Sequence, residues 1–233
     1  MELDKKQSTD DVLKIISQDR GRTNLLKKYE QKTIAYLVQR IPLCISSDML
    51  TAIGFSGSLI VFLSLILASF ISGPYLLIGV LGFMISWFGD SLDGRIAYYR
   101  NKQRKWYGFS LDLTTDWLGT ALMGFGFVIY LEGPWKYLGF VFVILYGWEM
   151  LTTLIRYKIT DTYSIDSGIL GPTEVRIFLS SILILEVLVK DSLIYSGVLA
   201  CCLLLIANIV DTFKLLKLGD IRDNNERGQK KNG

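Results

Sequence analysis

The sequence predicts an all-α integral membrane protein, six transmembrane helices preceded by an N-terminal amphipathic interfacial helix, and three observations carry that prediction. Of 233 residues, 51% are hydrophobic and only 20% are charged, and the mean hydropathy is +0.37. From Met49 to Gly89 there is no Asp, Glu, Lys or Arg, and Ser72-Gly73-Pro74 divides that run into two pieces of membrane-spanning length. The Lys and Arg residues then fall overwhelmingly on one side of the predicted spans.

Residues 1–48 form a mixed-charge, basic segment whose opening lacks the apolar core of a secretory signal. Asp11 to Gln18 and Thr23 to Leu43 carry apolar residues at helical spacing (Val12, Ile15 and Ile16; Leu25, Leu26, Tyr29, Ile34, Leu37 and Val38) with Lys and Arg opposite. This pattern suits a helix lying on an anionic lipid surface, or one packed on a protein core. The direct join to a membrane span favours the surface.

A transmembrane domain over 49–217 follows, with spans expected at Met49 to Ile71, Tyr75 to Tyr98, Gly108 to Leu131, Trp135 to Tyr157, Pro172 to Val189 and Ser192 to Leu216. Gly73-Pro74, Gly133-Pro134 and Gly171-Pro172 punctuate the connections, since Pro is well tolerated at a helix start. Residues 218–233 read as a polar, disordered tail. Of the 25 Lys and Arg residues, all but Lys136 and Lys190 fall on one side, which places both termini on the cytoplasmic face. The expected location is the cell or inner membrane of a prokaryote.

The chain has no His, which excludes His-based catalysis and His-ligated zinc. Cys44, Cys201 and Cys202 lack metal-ligand spacing and read as small apolar fillers. No nucleic-acid partner is expected; membrane lipids are. Glu186 reads as solvated at the outer end of the fifth span, and Glu149 and Asp211 as partners of Arg156 or Lys214.

The chemistry-bearing stretch runs from Gly89 to Asp116. Asp90 and Asp93 stand at i, i+3, and Asp112 and Asp116 at i, i+4, so two antiparallel helices can aim all four carboxylates at one point. Like charges brought that close repel unless a cation stands between them. All-oxygen ligands favour a hard divalent ion, Mg2+ first, with Mn2+ or Ca2+ as alternatives.

Read in register, the stretch is Asp90-x2-Asp93-Gly94-x2-Ala97-Tyr98-x9-Gly108-x3-Asp112-x3-Asp116. It resembles the signature of the CDP-alcohol phosphotransferase family, and the chain looks most like the phosphatidylinositol-phosphate synthases within it. Seven of the eight fixed positions are present; the exception is Tyr98, where the family has Arg, and Arg95 one turn earlier offers a similar charge. The resemblance implies a six-helix fold with a preceding amphipathic helix and a homodimeric assembly. It also implies one or two Mg2+ or Mn2+ ions held by Asp90, Asp93, Asp112 and Asp116, with Asp116 as catalytic base.

The resemblance further implies transfer of a phosphatidyl-type group from a CDP-linked lipid to a small hydroxyl acceptor. Gly94, Arg95, Ala97, Gly108 and Thr51 would border the nucleotide, although Gly94 and Gly108 also suit helix packing and Ser46-Ser47-Asp48 also suits a helix cap. Arg156 and Arg176 would border an acceptor that is anionic, like an inositol phosphate, or would serve as interfacial anchors; the polar loop from Thr160 to Gly168 would close over the site. Gly119, Gly124 and Gly126 offer small surfaces for close contact in a dimer. Competing readings are transfer of phosphocholine or phosphoethanolamine onto a lipid hydroxyl, a prenyl-diphosphate enzyme, and a cation transporter. The first is disfavoured because Leu113, not His, follows Asp112, and the last because no internal repeat is seen.

Overall fold

The computed structural model describes residues 12–13, 26–160 and 171–231. Among them the protein is all-helical: α1 (Lys27–Val38), α2 (Ser47–Phe70), α3 (Leu76–Tyr99), α4 (Lys105–Tyr130), α5 (Tyr137–Thr160), α6 (Pro172–Leu188) and α7 (Ser192–Lys231). Short 3-10 turns at Gly73–Tyr75 and Gly133–Lys136 lead into α3 and α5. The loop beyond Thr160 and most of the segment from Asp11 to Leu25 lie outside the described residues.

Helix ends have local causes. Ser46 caps α2 by accepting the Met49 amide at 3.2 Å. Pro172 occupies the first position of α6, and Glu174 reaches back to the Gly171 amide at 3.1 Å. Gly133 turns the chain at φ +57°, a conformation that a side chain would resist.

Four stretches are long and apolar enough to cross a membrane: Ser47–Phe70, Gly73–Tyr99, Gly133–Thr160 and Ser192–Gly228. At about 1.5 Å per residue, each exceeds the ~30 Å hydrocarbon layer. Such helices make this an integral membrane protein. Outside that set, α4 carries Asp112 and Asp116, and α6 has 17 residues with Glu174 and Arg176 near its start.

The six long helices contact one another in a closed ring, in the order α2, α3, α6, α7, α5, α4 and back to α2. The α2–α3 joint is the most extensive and α6–α7 the slightest. Glycine makes the α2–α3 joint close. A Cβ on Gly57 would fall 2.4 Å from the Ser86 nitrogen, and one on Gly89 would fall 2.2 Å from the Gly54 nitrogen. The two backbones therefore touch immediately beside Asp90. The glycines of α4 also serve contacts within the chain rather than a dimer surface: Gly119 lies against Ser58, Gly124 against Val143 and Gly139, and Gly126 against Leu65.

Two apolar cores flank the seam. One joins Val61, Leu65, Leu76, Phe83, Leu179 and Leu183; the other joins Leu50, Leu92 and Ile96 to Val12, Ile34, Ala35 and Val38. The apolar face of α1 is thus buried against protein, while Tyr29 and Tyr36 on its other faces are exposed. Arg100 bolts the α1–α2 connection from behind, donating to the carbonyls of Ile45 at 2.6 Å and of Ile41 and Pro42 at 3.0 Å.

Two further expectations differ from the structure. Helix α7 continues to Lys231 instead of giving way to a disordered tail at 218, and Arg222 donates to the last carbonyls of α5 at Lys158 (2.8 Å) and Ile159 (2.5 Å) while pairing with Glu226. Glu186 is not solvated but 6% exposed. Its carboxylate accepts from Tyr130 Oη (2.9 Å), Ser192 Oγ (3.2 Å) and the amides of Asp191 (3.1 Å) and Leu193 (2.6 Å), so it caps the start of α7.

Candidate active site

Helices α3 and α4, which both pack on α2, carry the carboxylates. Asp90, Asp112 and Asp116 each present an oxygen within 4.8 Å of the others. The fourth carboxylate faces differently: three residues along a helix is about 300°, so Asp93 is turned some 60° from Asp90. It points at α2, where Thr51 Oγ1 lies 2.7 Å from Asp93 Oδ2 and Ser47 Oγ donates to the Asp93 carbonyl at 2.9 Å. The Gly94 amide also donates to the Asp93 carboxylate. The expected convergence of four is therefore a convergence of three, with the fourth hung from α2 along the same wall.

All four line one recess, with Thr51, Gly54, Phe55, Ser58, Ser86 and Thr115 completing it. Of its hydroxyl-rich wall, Thr51 is the residue that the sequence names; Ser58 and Ser86 lie within apolar runs, and the one further signal is Thr115 between two carboxylates.

The other expected residues separate into groups. Gly108 is exposed and a Cβ there would meet nothing within 4 Å, so helix packing does not require that glycine. Gly94 and Ala97 are partly exposed near the end of α3. Arg95 is 5% exposed and stands outside the recess lining. Arg176 reaches from α6 to the cluster, its Nη1 2.7 Å from Asp90 Oδ2. Arg156 pairs instead with Asp211 at 3.3 Å, and Lys214 holds the second oxygen of Asp211 at 3.1 Å. Arg104, before α4, pairs with Asp48 at the start of α2.

The donor set fits a divalent cation. Its ligands are all carboxylate oxygen, their separation is one that small side-chain rotations close, and among them Arg176 supplies one positive charge against three negative ones. Such a site, at the end of helices of membrane-spanning length, suits chemistry on a phosphorylated substrate at a membrane face.

Residues 45–213 match the CDP-alcohol phosphatidyltransferase family. The chain belongs to that family. The match spans α2 to α6 and the apolar part of α7, and so contains every residue of the recess. Searched against curated proteins, the sequence matched none. CDP-alcohol phosphatidyltransferases are membrane enzymes of phospholipid synthesis. They transfer a substituted phosphate group from a CDP-alcohol donor to an alcohol acceptor and are typically dependent on a divalent metal.

Proposed function

We propose that this enzyme transfers a phosphatidyl-type group from a CDP-diacylglycerol-like lipid to the hydroxyl of a small, polar, anionic acceptor of the inositol phosphate kind, releasing CMP. The observation that carries the reading is the approach of Asp90, Asp112 and Asp116 within 4.8 Å, in a recess that Asp93 also lines.

Asp90, Asp93, Asp112 and Asp116 are the ligands of one or two Mg2+ or Mn2+ ions in this reading. A dication held there would neutralise the donor diphosphate and the charge developing on the departing CMP. Everything else falls to the chain. The acceptor oxygen attacks the lipid-side phosphorus, the bond from that phosphorus to the CMP oxygen breaks, and Asp116 takes the hydroxyl proton. Asp116 stands one turn further along α4 than Asp112, in the recess that Phe55 and Ser58 also line.

Thr51 keeps Asp93 turned to the wall, and the open face of Gly108 with the partly exposed Gly94 and Ala97, Arg95 buried beside them, leaves the nucleotide room at the mouth. Arg176 and Arg156 supply the positive charge that selects an anionic acceptor, Arg176 from beside the cluster and Arg156 from the end of α5. In this reading α4 and α6 also span, giving six crossings with both termini and the site on the cytoplasmic face, and two copies pair as a homodimer.

The test is CMP release by the purified protein with Mg2+ or Mn2+, CDP-diacylglycerol and a panel of inositol phosphate, glycerol phosphate, serine and inositol. Release that requires metal and one anionic acceptor is the expected result. Release with CDP-choline and diacylglycerol instead would replace the donor assignment, and binding of neither CDP species would overturn the reading.

A further inference from the structure

Two cross-links of equal spacing join α3 to α6 beside the carboxylates. Trp87 and Asp90 are three residues apart on α3, and Thr173 and Arg176 are three apart on α6. Trp87 Nε1 donates to Thr173 Oγ1 at 3.1 Å, and Arg176 Nη1 meets Asp90 Oδ2 at 2.7 Å. The first link is anchored again from α1, since Thr173 Oγ1 donates to Glu30 Oε1 at 3.0 Å. Glu174 likewise receives the Leu26 amide at 2.9 Å.

The two links differ in kind. Trp87, Thr173 and Glu30 form directed hydrogen bonds that fix the α6 backbone against α3 and α1. The Arg176–Asp90 contact is a charge pair lacking hydrogen-bond geometry: Nη1 is buried and has no hydrogen-bond acceptor. Asp90 is at the same time one of the three carboxylates that converge within 4.8 Å. A guanidinium and a dication repel, and they cannot share this carboxylate at full strength.

Resting on the metal site read above, we propose that Arg176 is the resting counter-ion of Asp90, which a divalent cation displaces on binding. The displaced guanidinium then becomes the receptor for an anionic group of the substrate. The fixed Trp87–Thr173–Glu30 link makes this a side-chain exchange on a stationary helix. Arg176 thereby couples the two occupants: metal binding releases the anion receptor, and an anion that captures the receptor makes metal binding tighter.

The test is calorimetric titration of Mn2+ into the full chain in detergent, with and without inorganic phosphate, for the wild type and for Arg176→Gln, Arg176→Lys and Asp112→Asn. Arg176→Gln is expected to bind Mn2+ tighter by on the order of tenfold, the worth of one half-buried charge pair. Arg176→Lys, which keeps the charge but not the fork, is expected to gain a few-fold at most. Phosphate should tighten Mn2+ binding more in the wild type than in Arg176→Gln. Unchanged or weaker Mn2+ binding in Arg176→Gln, with binding still lost in Asp112→Asn, overturns the exchange and leaves the metal site standing. Unchanged binding in Asp112→Asn removes the metal site and the proposed function with it. Should Arg176→Gln fail to fold, a wild-type Mn2+ affinity that phosphate leaves unchanged overturns the exchange by itself.

Discussion

Two sets of carboxylates are held among the helices, and their surroundings divide structure from chemistry. Glu186 has four donors, from Tyr130, Asp191, Ser192 and Leu193, at 2.6 to 3.2 Å. They use the acceptor capacity of both oxygens, so the group is finished as a helix cap. Asp90, Asp112 and Asp116 are grouped instead against one another, with Arg176 as a charge partner. A buried carboxylate surrounded by donors is a structural part; carboxylates surrounded by carboxylates need something brought from outside.

Substitutions can break this contrast, and the largest effect is expected at Asp116. Asp116→Asn should lower the rate of CMP release by about 10³-fold, within the range for a lost general base, while leaving the melting temperature in detergent unchanged. A loss below tenfold would put Asp116 in the same class as Glu186. Glu186→Ala should do the reverse. Four donors lose their acceptor, which costs about 3 kcal/mol in thermal or denaturant unfolding, while the rate per folded molecule stays at the wild-type value. A substituted protein that melts normally but turns over slowly would make Glu186 part of the chemistry.

Intermediate between these is Gly89→Ala, which acts on both. Its new methyl would meet the Gly54 nitrogen at 2.2 Å, so α3 must shift, at a cost of about 2 kcal/mol, and carry Asp90 with it. Stability and Mn2+ affinity should fall together, whereas a fall in stability alone would uncouple the seam from the site. The smallest effect belongs to Thr51→Val. It removes the hydroxyl beside Asp93 at about 1 kcal/mol, which should appear as a several-fold weaker Mn2+ midpoint in metal-dependent activity.

Much of the fold and of the site is legible in the order of the residues alone. The apolar run from Met49 to Gly89 breaks where α2 and α3 break, because Gly73-Pro74 ends helices by local chemistry alone. The spacing of Asp90, Asp112 and Asp116 points to their convergence, since helix periodicity is a property of spacing. What escapes such a reading depends on which helix lies opposite. Asp93 and Asp90 look alike until α2 claims Asp93 through Thr51. Glu186 reads as solvated because its four donors come from Tyr130 and from the turn before α7. Gly119, Gly124 and Gly126 read as an outer surface because their partners Ser58, Gly139 and Leu65 lie on other helices. The tail reads as disordered from composition, yet Arg222 finds its acceptors at the end of α5, more than sixty residues away.

The ring of helices also has a stiff side and a compliant side. At the glycine seam the backbones of α2 and α3 have no room to slide, so Asp90, Asp93 and Thr51 behave as one rigid face. Two joints round the ring from that seam is the slight α6–α7 joint. Thermal motion in a closed ring concentrates at its weakest joint, and here that joint borders the helix bearing Arg176. The enzyme thus resembles a vice: one jaw, α2 and α3 with α6 pinned to them through Trp87 and Thr173, is fixed, and the travel falls to α7 beyond the slight joint.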